Sequence, residues 1–231
     1  MSSIKNITKS ITETLKASDL KGLTAEYGEV ILDSFLEDGV AKSIPVLNTL
    51  LAVFKTSGTV KDMMFAKKIL YFLTQLSDVE VEQREKVISK IDDSNDYRVK
   101  VGEKLLYIVD KCDDHEKAEI VGVLFRAFLL EKISYGYFIS CCSVIEKCIL
   151  VELREFVLED NLVYSIAFNS DLLSWGLLSF KEFFVDLEEI TNYGYEGGNE
   201  YKLNKNELEF ELSYTGDAIR KNLKQYYIDL D

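Results

Sequence analysis

The chain has little of what breaks helices and little of what carries imidazole chemistry. Its 231 residues include one proline, Pro45, and twelve glycines, so long helices with few interruptions are expected. The single histidine, His115, leaves no imidazole pair for a metal and no Ser–His–Asp order to assemble. Four cysteines without a recurring framework fit reduced thiols better than a disulfide scaffold, which points to a cytoplasmic protein. A cation excess is missing as well. Up to residue 100 there are 14 basic and 15 acidic groups, and after it 13 and 25, so the net charge of −13 arises almost wholly in the later part. A body of that charge repels phosphate backbones and anionic lipid, which makes nucleic acid an unlikely partner. No secretory leader opens the sequence.

Long apolar runs are absent too. The greasiest stretch, GVAKSIPVLNTLLAVFKTSG at 39–58, has nine residues from Val46 to Phe54, interrupted by Asn48 and Thr49. A helical span needs roughly 20 apolar residues. Lys42 and Lys55 bracket the run, so surface contact with a membrane is possible in principle, although a short apolar helix is more often the buried centre of a bundle. The buried placement is the favoured expectation.

What is present is mostly helical periodicity. Residues 1–22 read as a loosely held polar lead-in, residues 23–158 as a helical bundle, and residues 159–231 as a smaller portion packed on it. A helix is expected over Thr24–Glu37, closed by Asp38-Gly39. Phe65, Ile69, Phe72, Leu73 and Leu76 form one apolar face over 61–76. Ser77 with Glu80, and Asp113 with Glu116, have the spacing of capping boxes for the helices that follow. The 97–111 helix turns Val101, Leu105 and Ile108 inward. A long helix capped by Ser134 is expected to run to about Val157. After Asn161, AFNSDLLSWGLLSF reads as a helix ending near Trp175-Gly176. Alternation at Phe210, Leu212 and Tyr214 indicates strand, and Gly194, Gly197 and Gly198 mark a turn tip between two strands. A last helix puts Ile219, Leu223 and Tyr226 on one face.

Candidate sites are few. Cys112, His115, Cys141 and Cys142, with Cys148, form the best metal set, but one conventional two-ligand knuckle is missing and buried cysteine behaves as a small hydrophobe. Cys141-Cys142 lacks the basic neighbour that would activate a thiol. Acid pairs such as Asp92/Asp93, Asp113/Asp114 and Glu188/Glu189 suit helix starts and solvent better than a metal site. No cofactor is expected, and no catalytic set is complete.

Two resemblances add to this. The order helix, WGLL, strand, glycine-bearing turn, strand and LSYTGDAIRKNL over about 133–228 resembles a winged-helix module. That resemblance implies a mainly α fold: a helical bundle with a small C-terminal helical and β-wing portion. A nucleic-acid reader of that class would use the helix near 170–175 and a basic wing, whereas residues 179–216 hold 3 basic and 9 acidic groups. The segments DGVAKSIPVLNTLLAVFKTSGTVKDMMFAKKILYFL and VGEKLLYIVDKCDDHEKAEIVGVLFRAFL resemble small bacterial helical proteins of the abortive-infection alpha type, which implies a part in phage defence. The expected function is therefore a non-enzymatic interaction protein that docks a basic protein partner. The docking residues would be Glu188, Glu189, Tyr193, Tyr195, Glu207 and Glu209. A membrane-acting effector using 44–54 and a winged-helix regulator of nucleic acid are the alternatives.

Overall fold

The computed structural model describes residues 2–23, 43–57, 59–159, 161, 163–190 and 200–230. The expected helix over Thr24–Glu37 lies outside the described residues, as does the turn tip with Tyr193 and Tyr195. The molecule is mainly helical with a small antiparallel sheet. Among the described residues ten helices precede, interrupt and follow the strands: α1 (Ser2–Ala17), α2 (Pro45–Ser57), α3 (Val60–Thr74), α4 (Val81–Asp92), α5 (Val101–Lys111), α6 (His115–Leu129), α7 (Tyr135–Lys147), α8 (Leu150–Leu158), α9 (Ile166–Trp175) and α10 (Tyr214–Asp229). The strands are β1 (Val163–Ser165), β2 (Leu178–Ile190) and β3 (Glu200–Leu212), in the order β1-β3-β2.

α3 and α6 form the central pair. Thr59 and Asp62 make a reciprocal capping box at the start of α3, with Thr59 N donating to Asp62 Oδ2 over 2.9 Å. Phe72 and Leu73 are fully buried, as the spacing predicts. Gly122 lets the two backbones meet: a Cβ there would lie 2.7 Å from the Phe72 carbonyl oxygen. Around that contact Phe72, Phe125 and Phe138 pack ring to ring, with centroids 5.6 and 5.2 Å apart. Tilted contacts of this kind contribute beyond the area they bury.

The first 22 residues are not a loose lead-in. Ile11 and Leu15 are wholly buried, and α1 packs on α2, α4 and α5. Its apolar stripe is narrow, and polar residues complete its seat. The Thr14 hydroxyl accepts from Val46 N at the start of α2 over 3.0 Å. Arg84, 1% exposed, reaches the last turn of α1 and donates to the carbonyls of Thr14 (3.1 Å), Leu15 (2.8 Å) and Ser18, and to that of Val79 (3.1 Å). Leu15 O is one of the carbonyls that a helix end leaves without an intrahelical partner, while Thr14 O also accepts from Ser18 N over 3.2 Å. Burial pulls the guanidinium's pKa down, opposed by the nearby charges of Asp19, Glu80 and Glu82.

Other boundaries differ from expectation for local reasons. Ser77 sits in a hydrogen-bonded turn, its N–H donating to Thr74 O, and α4 starts after Glu80, which makes no side-chain capping bond. Asp114, not Asp113, caps α6 by accepting from Lys117 N, while Asp113 binds the Lys117 ammonium over 2.7 Å. The single helix expected from Ser134 to Val157 is two. Cys148 and Ile149 are extended, and this break re-phases Leu153 and Phe156 onto the core while Ile149 stays 56% exposed. In α10, Tyr227 is buried with Ile219 and Leu223, and Tyr226 lies at the edge of that face. Tyr214 opens α10 rather than continuing a strand.

The apolar stretch near Pro45 is core. Ile44, Val46, Leu47, Leu50 and Leu51 are all at most 6% exposed. Among the described residues no helix is long and apolar enough to cross a membrane.

Replacing Arg84 by Met fills about the same volume but removes the guanidinium donors from the end of α1. The expected loss is about 3 kcal/mol, since several buried carbonyls lose their partners at once. Urea unfolding monitored by circular dichroism measures it; an unchanged midpoint contradicts the role given to Arg84.

Candidate docking surface

The sheet is three-stranded at its base and two-stranded beyond it. At its base Leu177, Leu178, Phe210 and Tyr164 are buried. Trp175-Gly176 ends α9 as the sequence indicates, with Gly176 at φ 87°, a left-handed conformation that glycine accepts readily. Ser213 caps α10, accepting from Gly216 N, and also donates to the Gly176 carbonyl over 2.7 Å. Gly216 lies so close to Leu177 O that a Cβ would come within 2.1 Å.

A second buried arginine anchors this junction. Arg220 of α10 donates to the Phe156 carbonyl from Nε (3.2 Å) and Nη2 (3.0 Å) and to Asn161 O from Nη1 (2.7 Å). It also meets the Tyr164 hydroxyl of β1, and its guanidinium stands 4.5 Å from the Phe156 ring centroid. The end of α8, the start of the sheet and α10 are thus held by one side chain.

β1 pairs with β3 only at 209–211. Beyond it, β2 and β3 continue as a two-stranded ribbon, with Phe183 opposite Leu208, Leu187 opposite Leu203 and Ile190 opposite Glu200. Register shifts fall between Phe180 and Glu182 and between Asp186 and Leu187; such bulges increase the local twist. The two strands carry 3 basic and 8 acidic residues. Glu182 is the register partner of Glu209, and the Lys181 ammonium lies 3.0 Å from Glu209 Oε2.

The expected docking residues fall on this ribbon in part. Glu188 is exposed and opposite Lys202, Glu189 is opposite Tyr201, and Glu207 is opposite Phe184. Glu209 is half-buried near the base. Tyr193 and Tyr195 lie outside the described residues.

The thiols and the histidine are placed as structural groups. Cys112, Cys141, Cys142 and Cys148 are free and buried. Burial pushes Cys112 and Cys148 up to about 11 and Cys141 up to about 12, and it holds Cys142 well above its ordinary value. Thiolate, the form that binds metal or attacks, is therefore disfavoured at all four. Cys112 and Cys142 border a cavity of about 120 Å³ together with Lys104 and Glu146. The His115 ring packs on Tyr71, with centroids 4.5 Å apart. Among the described residues no group of three or more His, Cys, Asp or Glu side chains is arranged to hold a metal ion.

One polar cleft was not foreseen. The end of α3, α6 and α10 enclose about 390 Å³ lined by Gln75, Asp78, Glu119, Arg126 and Tyr226 among others. Glu119 accepts from Gln75 Nε2 over 2.7 Å and is hydrogen-bonded to Tyr226. Arg126 forks onto both oxygens of Asp78, with Nε 2.7 Å from Oδ1. These groups satisfy one another, so the cleft reads as a polar seam that seats α10. The signal was a glutamate on the otherwise apolar face of α6, three and four residues before Gly122 and Val123.

No protein-family model, curated protein or solved structure matches the chain.

Burial raises the Glu119 pKa in the folded protein, more than its hydrogen bond to Tyr226 lowers it. The folded state therefore holds this proton more tightly than the unfolded chain does. Stability falls as pH rises from about 4.3, the ordinary glutamate value, through the raised one. Glu119→Gln is expected to flatten that part of the curve and to unfold later at neutral pH. Urea midpoints measured across pH check this, and an unaltered slope contradicts it.

Proposed function

We propose that the chain is a non-enzymatic interaction protein that docks a basic protein partner through its acidic β2–β3 ribbon. The observation that carries this is the separation of roles along β2 and β3. The base is buried and clamped by Arg220, the outer part continues as a two-stranded ribbon, and the two strands together carry 8 acids against 3 bases. Two-stranded ribbons are marginal alone, so an extension of this length with a one-sided charge is suited to a complementary surface.

The strand order, with β1 against β3 and β2 outermost, also supports a winged-helix-like description of residues 159–231, the ribbon standing where a wing would be. The ribbon's charge argues against nucleic acid as its ligand. The burial of Ile44, Val46, Leu47, Leu50 and Leu51 argues against the membrane-acting alternative. The likeness of residues 38–73 and 101–129 to abortive-infection alpha proteins supports placing the docking role in phage defence in a bacterial cytosol. No catalytic step is assigned.

Glu188, Glu189, Glu207 and Glu209 changed together to Lys are expected to cut recovery of a co-purifying partner at least tenfold at low salt. High salt should reduce recovery by the parent protein too, since exposed charge pairs are screened. The unfolding midpoint of the variant controls for the loss of the Lys181–Glu209 pair. Equal recovery by a folded variant removes the ribbon from the function.

A further inference from the structure

The thiol-lined cavity near Cys112 and Cys142 is small, and burial disfavours thiolate there. The Glu119–Tyr226 cleft has its polar groups paired with each other. A groove beside α1 mixes Lys5, Lys9 and Lys100 with Glu13, Asp93 and Glu103, so it selects no charge. The outer strand of the ribbon remains.

β2 is bonded along its length to β3 and stands last in the sheet among the described residues. Thirteen extended residues present an edge of roughly 40 Å at about 3.3 Å per residue. A strand edge is a row of backbone donors and acceptors that templates another strand. Natural edges are commonly guarded by charged side chains, proline, bulges or shortness. Here the strand is long and has no proline; it carries two register shifts, and its charges are one lysine, Lys181, and acids at 182, 186, 188 and 189, a guard that a basic strand would not meet as repulsion.

We infer that the partner is captured by strand addition: an extended, proline-free segment with Lys or Arg at alternate positions pairs along the free edge of β2. This rests on the docking role proposed above and specifies its mode. A second copy of the chain is not the occupant, because edge-to-edge pairing would bring the acids of one β2 alongside those of another, and like charges on adjacent strands repel. A basic strand converts the same positions into favourable cross-strand pairs. Main-chain hydrogen bonds then supply affinity and the acids supply selection. Phe180, 56% exposed where the edge begins, offers an apolar contact for the first residue of the incoming segment.

The probe is a capped, fluorescently labelled peptide of four Lys-Val repeats. Its control is the same peptide N-methylated at each central amide, which keeps every side chain and charge but removes the donors. Anisotropy with the full chain at low salt is expected to show binding by the first peptide and at least tenfold weaker binding by the second. Slowed hydrogen exchange of β2 amides on adding the first peptide is the second expected readout. Equal binding of the two peptides overturns strand addition and leaves charge-driven docking standing. Absence of binding by the unmethylated peptide, in a protein whose ribbon still captures its partner, overturns strand addition as well. Failure of the charge-reversed protein to lose its partner strikes the docking role itself, so the two failures are told apart.

Discussion

Two buried arginines hold this fold at the places where helices end. Arg84 takes up the last carbonyls of α1, and Arg220 takes up those of α8 together with the start of the sheet. A helix end buried without partners is costly, and both ends here are buried against other helices. The guanidinium suits the task because its donors form a fixed planar fork and keep their charge when desolvated. Each clamp joins segments far apart in sequence: Arg84 reaches back about one α-helical hairpin and more to α1, and Arg220 crosses from the last helix to the segment before β1. The apolar core explains why the helices cohere. The arginines explain why α1 and the sheet sit where they do.

That arrangement bears on the ribbon. A long two-stranded extension is only as well placed as its base, and the base is fixed by Leu177, Phe210, Tyr164 and the Arg220 contacts. Rigid footing with a charged outer part is the pattern expected where binding is carried by an element that a scaffold positions. On the proposed docking role, the acids that would repel a second copy are the same ones that would complement a basic strand.

Much of the helical part was legible because its period is strong. The 60–76 face needed only Phe65, Ile69, Phe72 and Leu73, and the burial of Val46, Leu47 and Leu50 followed from a run too short to span a bilayer. What misled was local ambiguity. Asp113 and Asp114 are chemically alike, and only the extended backbone at 114 decides which one caps α6. The break at Cys148-Ile149 is hidden because the apolar stripe continues across it in sequence. α1 looked loose because its stripe is narrow and its remaining seat is made by Thr14 and by Arg84, 70 residues away along the chain. Arg84 itself occupies the position that Val87, Ile88 and Ile91 would assign to an apolar residue, which is the one sequence clue to the clamp. In the sheet, Phe210 and Leu212 alternate visibly with acids, whereas the run from Phe183 to Leu187 in β2 does not. The acidity of the proposed docking residues is legible in composition, whereas the outer position of β2 among the described strands depends on the strand order.

Native-state hydrogen exchange of the unmodified protein tests the central claim most directly, because it reads the stability of α1 without a mutation. If Arg84 seats α1 as part of the core, the amides around Ile11 to Leu15 exchange only when the whole molecule unfolds, with the same denaturant dependence as the amides of α6. Exchange of those α1 amides through a separate, low-energy opening, while α6 stays protected, would contradict the account.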